Sequence, residues 1–446
     1  MARTEVATLP TTSVPFLDAT LYIPPNETPE QRSARLKAEE QAKHASDEID
    51  ALLNLERARI KAETSTGRKH TLLLLGQSES GKTTLLKQFQ MMHAPKTFND
   101  QRASWKAVIY LNVLNTLRTL LISLRDEPTL RSPEFESLLE ISSQLATFED
   151  TVAAKLVESG QFERPQPNST KVYMRKRPSL DFLKFRRSSS SSTEGSAWPA
   201  SPELDSCLET ANQVLTAHLA EIKRLWEDPM VRSYLTGQHQ EDWRSFFLND
   251  IDRILVPGYM PTDSDILRCR IATIGITEHK FNLGSRSLFR KNVDNVEWTM
   301  YDVAGSRGQR HAWAPYFEDA TAIIFMAPLS GFDQYLNEDM TVNRVQDSYE
   351  LFTKICRNRL LQKTEIVLFF NKMDILQEKL NFGKQISDYV PSYGSRPNDL
   401  ENAKKYFCSH FEQTFHAHNK TGRSLYVHFT SVVVSLSLCM FLMNSY

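Results

Sequence analysis

Gly76-Gln-Ser-Glu-Ser-Gly-Lys-Thr83 is the stretch of this sequence whose residue types and spacing suit phosphate chemistry. It satisfies the pattern G-x4-G-K-[ST], in which glycines let backbone N–H groups close on an anion. An exposed Gly/Ser turn could match by chance, but it would not need the flanks seen here. Thr71 to Leu75 is a short apolar run that predicts a buried parallel strand. Leu85 to Met92 predicts a helix with a mixed face. A loop between such a strand and helix turns its amides and the positive helix end toward an anion. Lys82 would reach the terminal phosphates, and the Thr83 hydroxyl would sit on a magnesium ion.

Two further segments narrow the ligand. Asp302-Val-Ala-Gly305 ends an apolar run, where the Asp can hold magnesium through water and the Gly amide can face a γ-phosphate. Asn371-Lys-Met-Asp374 follows the apolar run Ile366 to Phe370. A carboxylate at Asp374 can accept both the ring N–H and the exocyclic amine of guanine, a pairing that adenine cannot match. Asn371 and Lys372 would shape the same pocket. Together these segments predict GTP rather than ATP.

The elements that must position these groups alternate in a recognisable way. Strand patterns fall at Thr71–Leu75, Arg270–Ile276, Val296–Val303, Ala320–Ala327, Glu365–Phe370 and Leu425–Thr430, with helical patterns between the later ones. That alternation predicts a parallel sheet with helices on both faces. Between the phosphate loop and Pro261 the pattern is helical instead, over Trp105–Arg125, Phe135–Leu156, Leu204–Trp226 and Trp243–Ile254. An all-helical block is thus inserted into an α/β domain. Within it, residues 163–202 carry basic residues and five consecutive serines, Ser188 to Ser192, and predict a disordered insertion. Ahead of the loop, residues 1–29 are Pro- and Thr-rich and predict disorder, and residues 30–69 predict a long exposed helix with a thin apolar stripe.

Composition sets outer limits. The chain has 446 residues, 41% of them hydrophobic and 24% charged, with a formal net charge of −1. Near-neutral charge gives no bulk pull toward nucleic acid or an acidic membrane. Five cysteines without C-x-x-C spacing fit a reducing compartment and neither disulfides nor structural zinc. No apolar signal core begins the sequence, residue 2 is Ala rather than the Gly of a myristoylation signal, and no run reaches the roughly 20 apolar residues of a membrane span. These features predict a cytoplasmic protein.

The segment Asp265-Ile-Leu-Arg-Cys-Arg-Ile-Ala-Thr-Ile-Gly275 resembles switch one of the alpha subunits of heterotrimeric guanine nucleotide-binding proteins, D-V-L-R-x-R-x-x-T-x-G. The phosphate loop is similar to that family's G-x-G-E-S-G-K-[ST]. Arg224-Leu-Trp-Glu-Asp228, Phe247-Leu-Asn-Asp-Ile-Asp-Arg253 and Trp105-Lys-Ala-Val-Ile-Tyr110 resemble parts of its helical domain. The likeness runs from about Ala45 to Thr430, interrupted by the Ser-rich stretch and by residues 284–294. It implies a Ras-like GTPase domain at 70–95 and 265–446 and a helical domain at 96–264. It further implies that Arg270, Lys82 and the residue at 306 serve catalysis, and that Thr83, Thr273 and Asp302 hold magnesium. Glu79, Ser80, Gly81, Lys82, Thr83, Thr84, Asp250, Leu267, Arg268, Arg270, Gly305, Asn371, Lys372, Asp374 and Val432 would surround the nucleotide. Glu79 is expected to pair with Arg270, and Asp250 to approach the nucleotide or Lys372. A βγ dimer, a G protein-coupled receptor and an unidentified effector are the implied partners, with nucleic acid excluded; the partners would bring the chain to the cytoplasmic face of the plasma membrane.

Departures from the family pattern qualify this. Switch two reads D-V-G-G-Q-R in the family but Asp302-Val-Ala-Gly-Ser-Arg307 here. Ser306 stands where the water-orienting Gln belongs and is too short to hold a water and the phosphate together, so slow hydrolysis is expected. Ala304 replaces a more permissive Gly, and Ser78 replaces a Gly beside the phosphates. The family's T-C-A-T reads Thr430-Ser-Val-Val433, and the final residues, Ser435 to Tyr446, do not resemble its receptor-contacting helix. The expectation is a GTP/GDP switch with slow GTPase activity. The rivals are a GTP-binding scaffold without effective turnover, a P-loop ATPase, and a chain that holds nucleotide poorly.

Overall fold

The computed structural model describes residues 69–126, 135–158, 162–163, 173–174, 202–232, 243–270, 272–273, 276–283, 296–336 and 338–431, with some residues between 28 and 62. Most of the Ser-rich insertion, the smaller insertion at 284–294, Val432 and the C-terminal residues lie outside these. The chain forms two compact units, Met1–Ser65 and Thr66–Tyr446. In the first, every described residue from 29 to 62 is helical and exposed.

The second unit is built on a six-stranded sheet. Its strands include β1 (Lys69–Gly76), which runs parallel to β6 (Val296–Val303) on one side and to β7 (Ala322–Pro328) on the other. β8 (Tyr335–Leu336) and β9 (Asp339–Asn343) form a separate antiparallel pair, β10 (Glu365–Asn371) is parallel to β7, and β11 (Leu425–Phe429) is parallel to β10. β5 (Ile276–Leu283) closes the other edge, antiparallel to β6, giving the order β11-β10-β7-β1-β6-β5. Alternate residues of β1 enter different cores, as a strand covered on both faces requires. Leu73 and Leu75 pack with Phe352, Phe407 and Phe411, while Leu72 and Leu74 pack with Leu85, Leu86 and Phe89. Because β1, β6 and β10 are parallel, the loops leaving their C-terminal ends emerge on one edge of the sheet, where ligands of open α/β sheets bind.

The helical block has its own core, drawn from residues between Phe98 and Cys269. Its central helix α3 (Trp105–Asp126) follows α1 (Lys82–His93) and α2 (Pro95–Asp100). By length and composition α3 could cross a membrane, but most of it is buried inside the helical core. Around it stand α4 (Glu136–Glu140), α5 (Ser142–Glu158), α6 (Pro202–Ala217), α7 (Leu219–Glu227), α8 (Trp243–Asn249) and α9 (Ile251–Ile254). α10 (Asp263–Arg268) then leads back toward the sheet while contributing Ile266 to the helical core.

Of the strand expected at Arg270–Ile276, the described residues show the two-residue β4 (Ala272–Thr273), which lies outside the six-stranded sheet; the strand of that sheet begins at Ile276. β4 pairs instead with β3 (Tyr173–Met174), which in turn pairs with β2 (Phe162–Glu163). Four residues of the 162–174 region, most of it read as disordered, therefore form a small ladder with the expected switch-one segment. The polar alternation of Ile276–Leu283 hid its role, because an antiparallel edge strand need bury only one face.

Candidate functional site

The phosphate-type loop springs from the end of β1 and closes on the first turn of α1. Gly76 and Gly81 have φ of +142° and +104°, and Glu79 has φ +64°. Gly81 precedes α1 and supplies no side-chain cap, and the N-terminal end of a helix attracts anions. Lys82 is buried, and its Nζ donates to the carbonyls of Gly76 at 3.1 Å and Gln77 at 2.7 Å. Burial pushes its pKa down to about 8, against the opposing pull of the Asp302 carboxylate. An anion placed beside it would raise that pKa again.

Asp302, buried near the end of β6, accepts a hydrogen bond from the Thr83 hydroxyl at 2.6 Å. A hydroxyl and a carboxylate oxygen meeting at the foot of the loop are hard donors of the kind magnesium takes alongside phosphate oxygens. The residues present thus fit that ion. Thr273 lies in β4, though its side chain is outside what is described.

Beyond β6, Gly305 passes so close to the loop that a Cβ there would overlap the backbone of Gln77 and Ser78. Its carbonyl accepts from Arg310 Nε at 3.1 Å, and Arg310 forks onto Asp347 at 3.0 and 2.5 Å. Ala304 is buried, and its carbonyl accepts from Trp313 Nε1 at 3.0 Å. Ser306 precedes the 3₁₀ helix Arg307–Tyr316 and is half-buried.

Glu79 joins two arginines. It forms an ion pair with Arg270, and its other oxygen accepts from Arg344 Nη1 at 3.0 Å. Arg344 opens α11 (Arg344–Arg357), is buried, and also donates to the Ser78 carbonyl at 2.8 Å. Desolvation, with Arg344 nearby, lowers the Arg270 pKa to about 10. Arg344 was not expected here. Asn343 before a helical run signals the start of α11, whose Val345 and Gln346 amides it caps, but nothing local says that Arg344 reaches a loop 265 positions earlier.

At the far side of the loop, Asn371 Nδ2 donates to the Ser80 carbonyl at 2.8 Å, tying the end of β10 to the phosphate-type loop. Lys372 has φ +63° and precedes α12 (Met373–Asn381). Asp374 accepts from Ser431 Oγ at 2.9 Å, and Thr430 Oγ1 donates to Asn371 Oδ1 at 3.2 Å. The Arg268 guanidinium lies over Phe246 and feels the Asp374 charge. Thr84 Oγ1 donates to the Leu267 carbonyl at 3.5 Å. Asp250 pairs with Arg253 at 2.9 Å. The phosphate loop, Asp302, Gly305 and Asn371 therefore meet at one edge of one sheet.

The G-protein alpha subunit profile matches residues 43–444 of this chain. The chain belongs to the G-protein alpha subunit family. It is 30% identical to a guanine nucleotide-binding protein alpha-4 subunit from Mycosarcoma maydis, covering 95% of this chain and 92% of that one. It is 31% identical to a G-protein complex alpha subunit from Aspergillus fumigatus, over 80% and 82% of the two chains. A guanine nucleotide-binding protein alpha subunit from Coprinellus congregatus is 29% identical over 88% and 89%. For an alpha-family chain the matched span reaches further than the motifs did, which stopped at Thr430.

Support around the site was less legible in sequence. Lys87, buried in α1, donates to the carbonyls of Ile266 at 2.9 Å and Cys269 at 3.1 Å, holding the chain just before Arg270. Asp265 is buried and receives Arg253 at 2.7 and 2.9 Å, Tyr259 at 2.8 Å and the Thr262 amide at 2.8 Å. Burial alone would raise its pKa, but these hydrogen bonds overcome that and lower it to about 2. Asn112 in α3 bonds both backbone groups of Arg270.

Proposed function

We propose that this alpha-family chain is a magnesium-dependent GTP/GDP switch with slow GTP hydrolysis. The observation that carries this reading is the Asn371–Ser80 hydrogen bond, which links the segment suited to guanine to the loop suited to phosphates. Asp374 would accept from the guanine ring N–H and amine, with Lys372 beside them. Val432, Thr84, Leu267, Arg268 and Asp250 would complete the surroundings of base and ribose. The loop amides from Glu79 to Thr84 would face the phosphates.

Water would attack the γ-phosphate, with Lys82 and Arg270 placing positive charge where it accumulates. Arg270 must exchange the Glu79 carboxylate for phosphoryl oxygens in that step. The Gly305 amide would sense the γ-phosphate and draw switch two toward the loop. Magnesium, held by Thr83, Thr273 and Asp302, would neutralise phosphate charge. Ser306 cannot span from backbone to attacking water as a Gln does, which supports slow turnover. The same serine favours a second reading, a GTP-binding scaffold without effective turnover.

Single-turnover hydrolysis of GTP with magnesium distinguishes them. The switch reading expects a measurable rate that falls in Arg270→Ala; equal rates in the two proteins would leave only the scaffold. For partners, a βγ dimer on the N-terminal helix and on Arg307–Trp313 is part of the proposal, with a G protein-coupled receptor upstream and the cytoplasmic face of the plasma membrane as the place of action. Co-purification of βγ with the GDP-loaded chain, released by a GTP analogue, tests the first of these.

A further inference from the structure

Arg270 sits where the α10 segment gives way to β4, and its backbone is held by a side chain from the helical block. Asn112 Oδ1 accepts from the Arg270 N–H at 2.8 Å, and Asn112 Nδ2 donates to the Arg270 carbonyl at 3.1 Å. The same Nδ2 donates to Val108 O, one turn back in α3, at 2.8 Å. Asn112 is 4% exposed, so water does not compete for these bonds. One carboxamide thus pairs both polar backbone groups of Arg270, as a neighbouring strand would.

We propose that Asn112 is a positioning residue for Arg270. It fixes the backbone from which the guanidinium reaches the transferring phosphoryl group. This rests on the reading of Arg270 as a hydrolytic group.

The chemistry of the contact admits few substitutes. Asp keeps the acceptor but sets a carboxylate against the Arg270 carbonyl. Leu fills similar space and leaves an amide and a carbonyl unpaired. Gln is one methylene longer on a buried helix face. Lys87 already fixes the Cys269 carbonyl, so Asn112 adds the hold on Arg270 itself. The backbone of Arg270 is therefore carried by the helical core while its guanidinium pairs with Glu79 of the phosphate-type loop. A shift of about 1 Å in such a group costs on the order of a hundredfold in rate, so loss of one clamp is expected to cost tenfold or more.

The test uses full-length protein with Asn112→Asp, Asn112→Leu, Arg270→Ala and the double variant Asn112→Leu/Arg270→Ala. Single-turnover GTP hydrolysis and the affinity for fluorescent GDP are read for each, with thermal melting as a check on folding. The proposal expects hydrolysis to fall about tenfold in both Asn112 variants with GDP affinity little changed. It also expects the double variant to be no slower than Arg270→Ala, a non-additivity that a general loss of structure would not give. Asn112→Asp hydrolysing like wild type while Arg270→Ala is slow would overturn it, as would a double variant much slower than Arg270→Ala. If Arg270→Ala hydrolyses like wild type, the reading of Arg270 itself falls, a result distinct from the other two. Should Asn112→Leu fail to fold, Asn112→Asp, which differs by one atom type, carries the decision.

Discussion

Gly81→Ala tests whether the loop and the Asn371 segment act as one site. Gly81 has φ +104° and ψ 9°, a conformation costing a side-chain-bearing residue about 1–3 kcal/mol. A Cβ would also overlap Asn371 Nδ2, whose bond to the Ser80 carbonyl is buried. Displacing it leaves polar groups unmet at about 1–3 kcal/mol. The sum is about 2 kcal/mol at the least, or roughly thirtyfold in nucleotide affinity if the strain falls on the bound state. Gly258 is the comparator, with φ +79° and open space where its Cβ would lie, so Gly258→Ala carries the backbone strain without the collision. Titration of fluorescent GDP, with urea unfolding in parallel, should show affinity falling roughly thirtyfold or more in Gly81→Ala and holding in Gly258→Ala. Equal GDP binding by the two variants would refute the coupling of the loop to Asn371.

Asp265→Asn bears on acid stability. The pKa of Asp265 is lowered from 3.8 to about 2 in the fold, so its contribution is present above pH 4 and lost as pH falls toward 2. The variant should be less stable at neutral pH and show a flatter acid limb between those values in urea titrations; an unchanged limb would contradict the assigned network. Ser306→Gln should raise single-turnover hydrolysis roughly tenfold or more if a missing water-orienting group limits the rate, whereas Ser306→Ala should change little. Met174→Pro removes a backbone donor from β3, and hydrogen exchange at Ala272 and Thr273 should then quicken if the ladder holds that segment.

What the sequence disclosed was local. The loop Gly76–Thr83, the apolar runs of β1, β6, β7 and β10, and the Asn371–Asp374 turn each carry their signal within a few residues, because burial on both faces and tight turns restrict composition. Long helical patterns were equally plain, although single-residue breaks divide Phe135–Leu156 and Leu204–Trp226 into pairs of helices. The contacts that tune the site were not legible. Arg344 and Asn112 reach it across 265 and 158 positions, and neither has a local pattern that separates it from an ordinary helical Arg or Asn. The run Arg270–Ile276 looked like a strand because its residues are strand formers. Among the described residues, Ala272 and Thr273 do pair as a strand, but with β3 of a separate small sheet, and Asn112 takes the Arg270 amide.

The central claim is that this sheet edge selects guanine. The direct measurement is competition for bound fluorescent GDP in magnesium buffer by GDP, GTP and ATP, in wild type and in Asp374→Asn. GDP and GTP are expected to displace the probe while a hundredfold excess of ATP does not, and Asp374→Asn is expected to weaken binding of the guanine nucleotides. Displacement by ATP as effective as by GTP would contradict that claim.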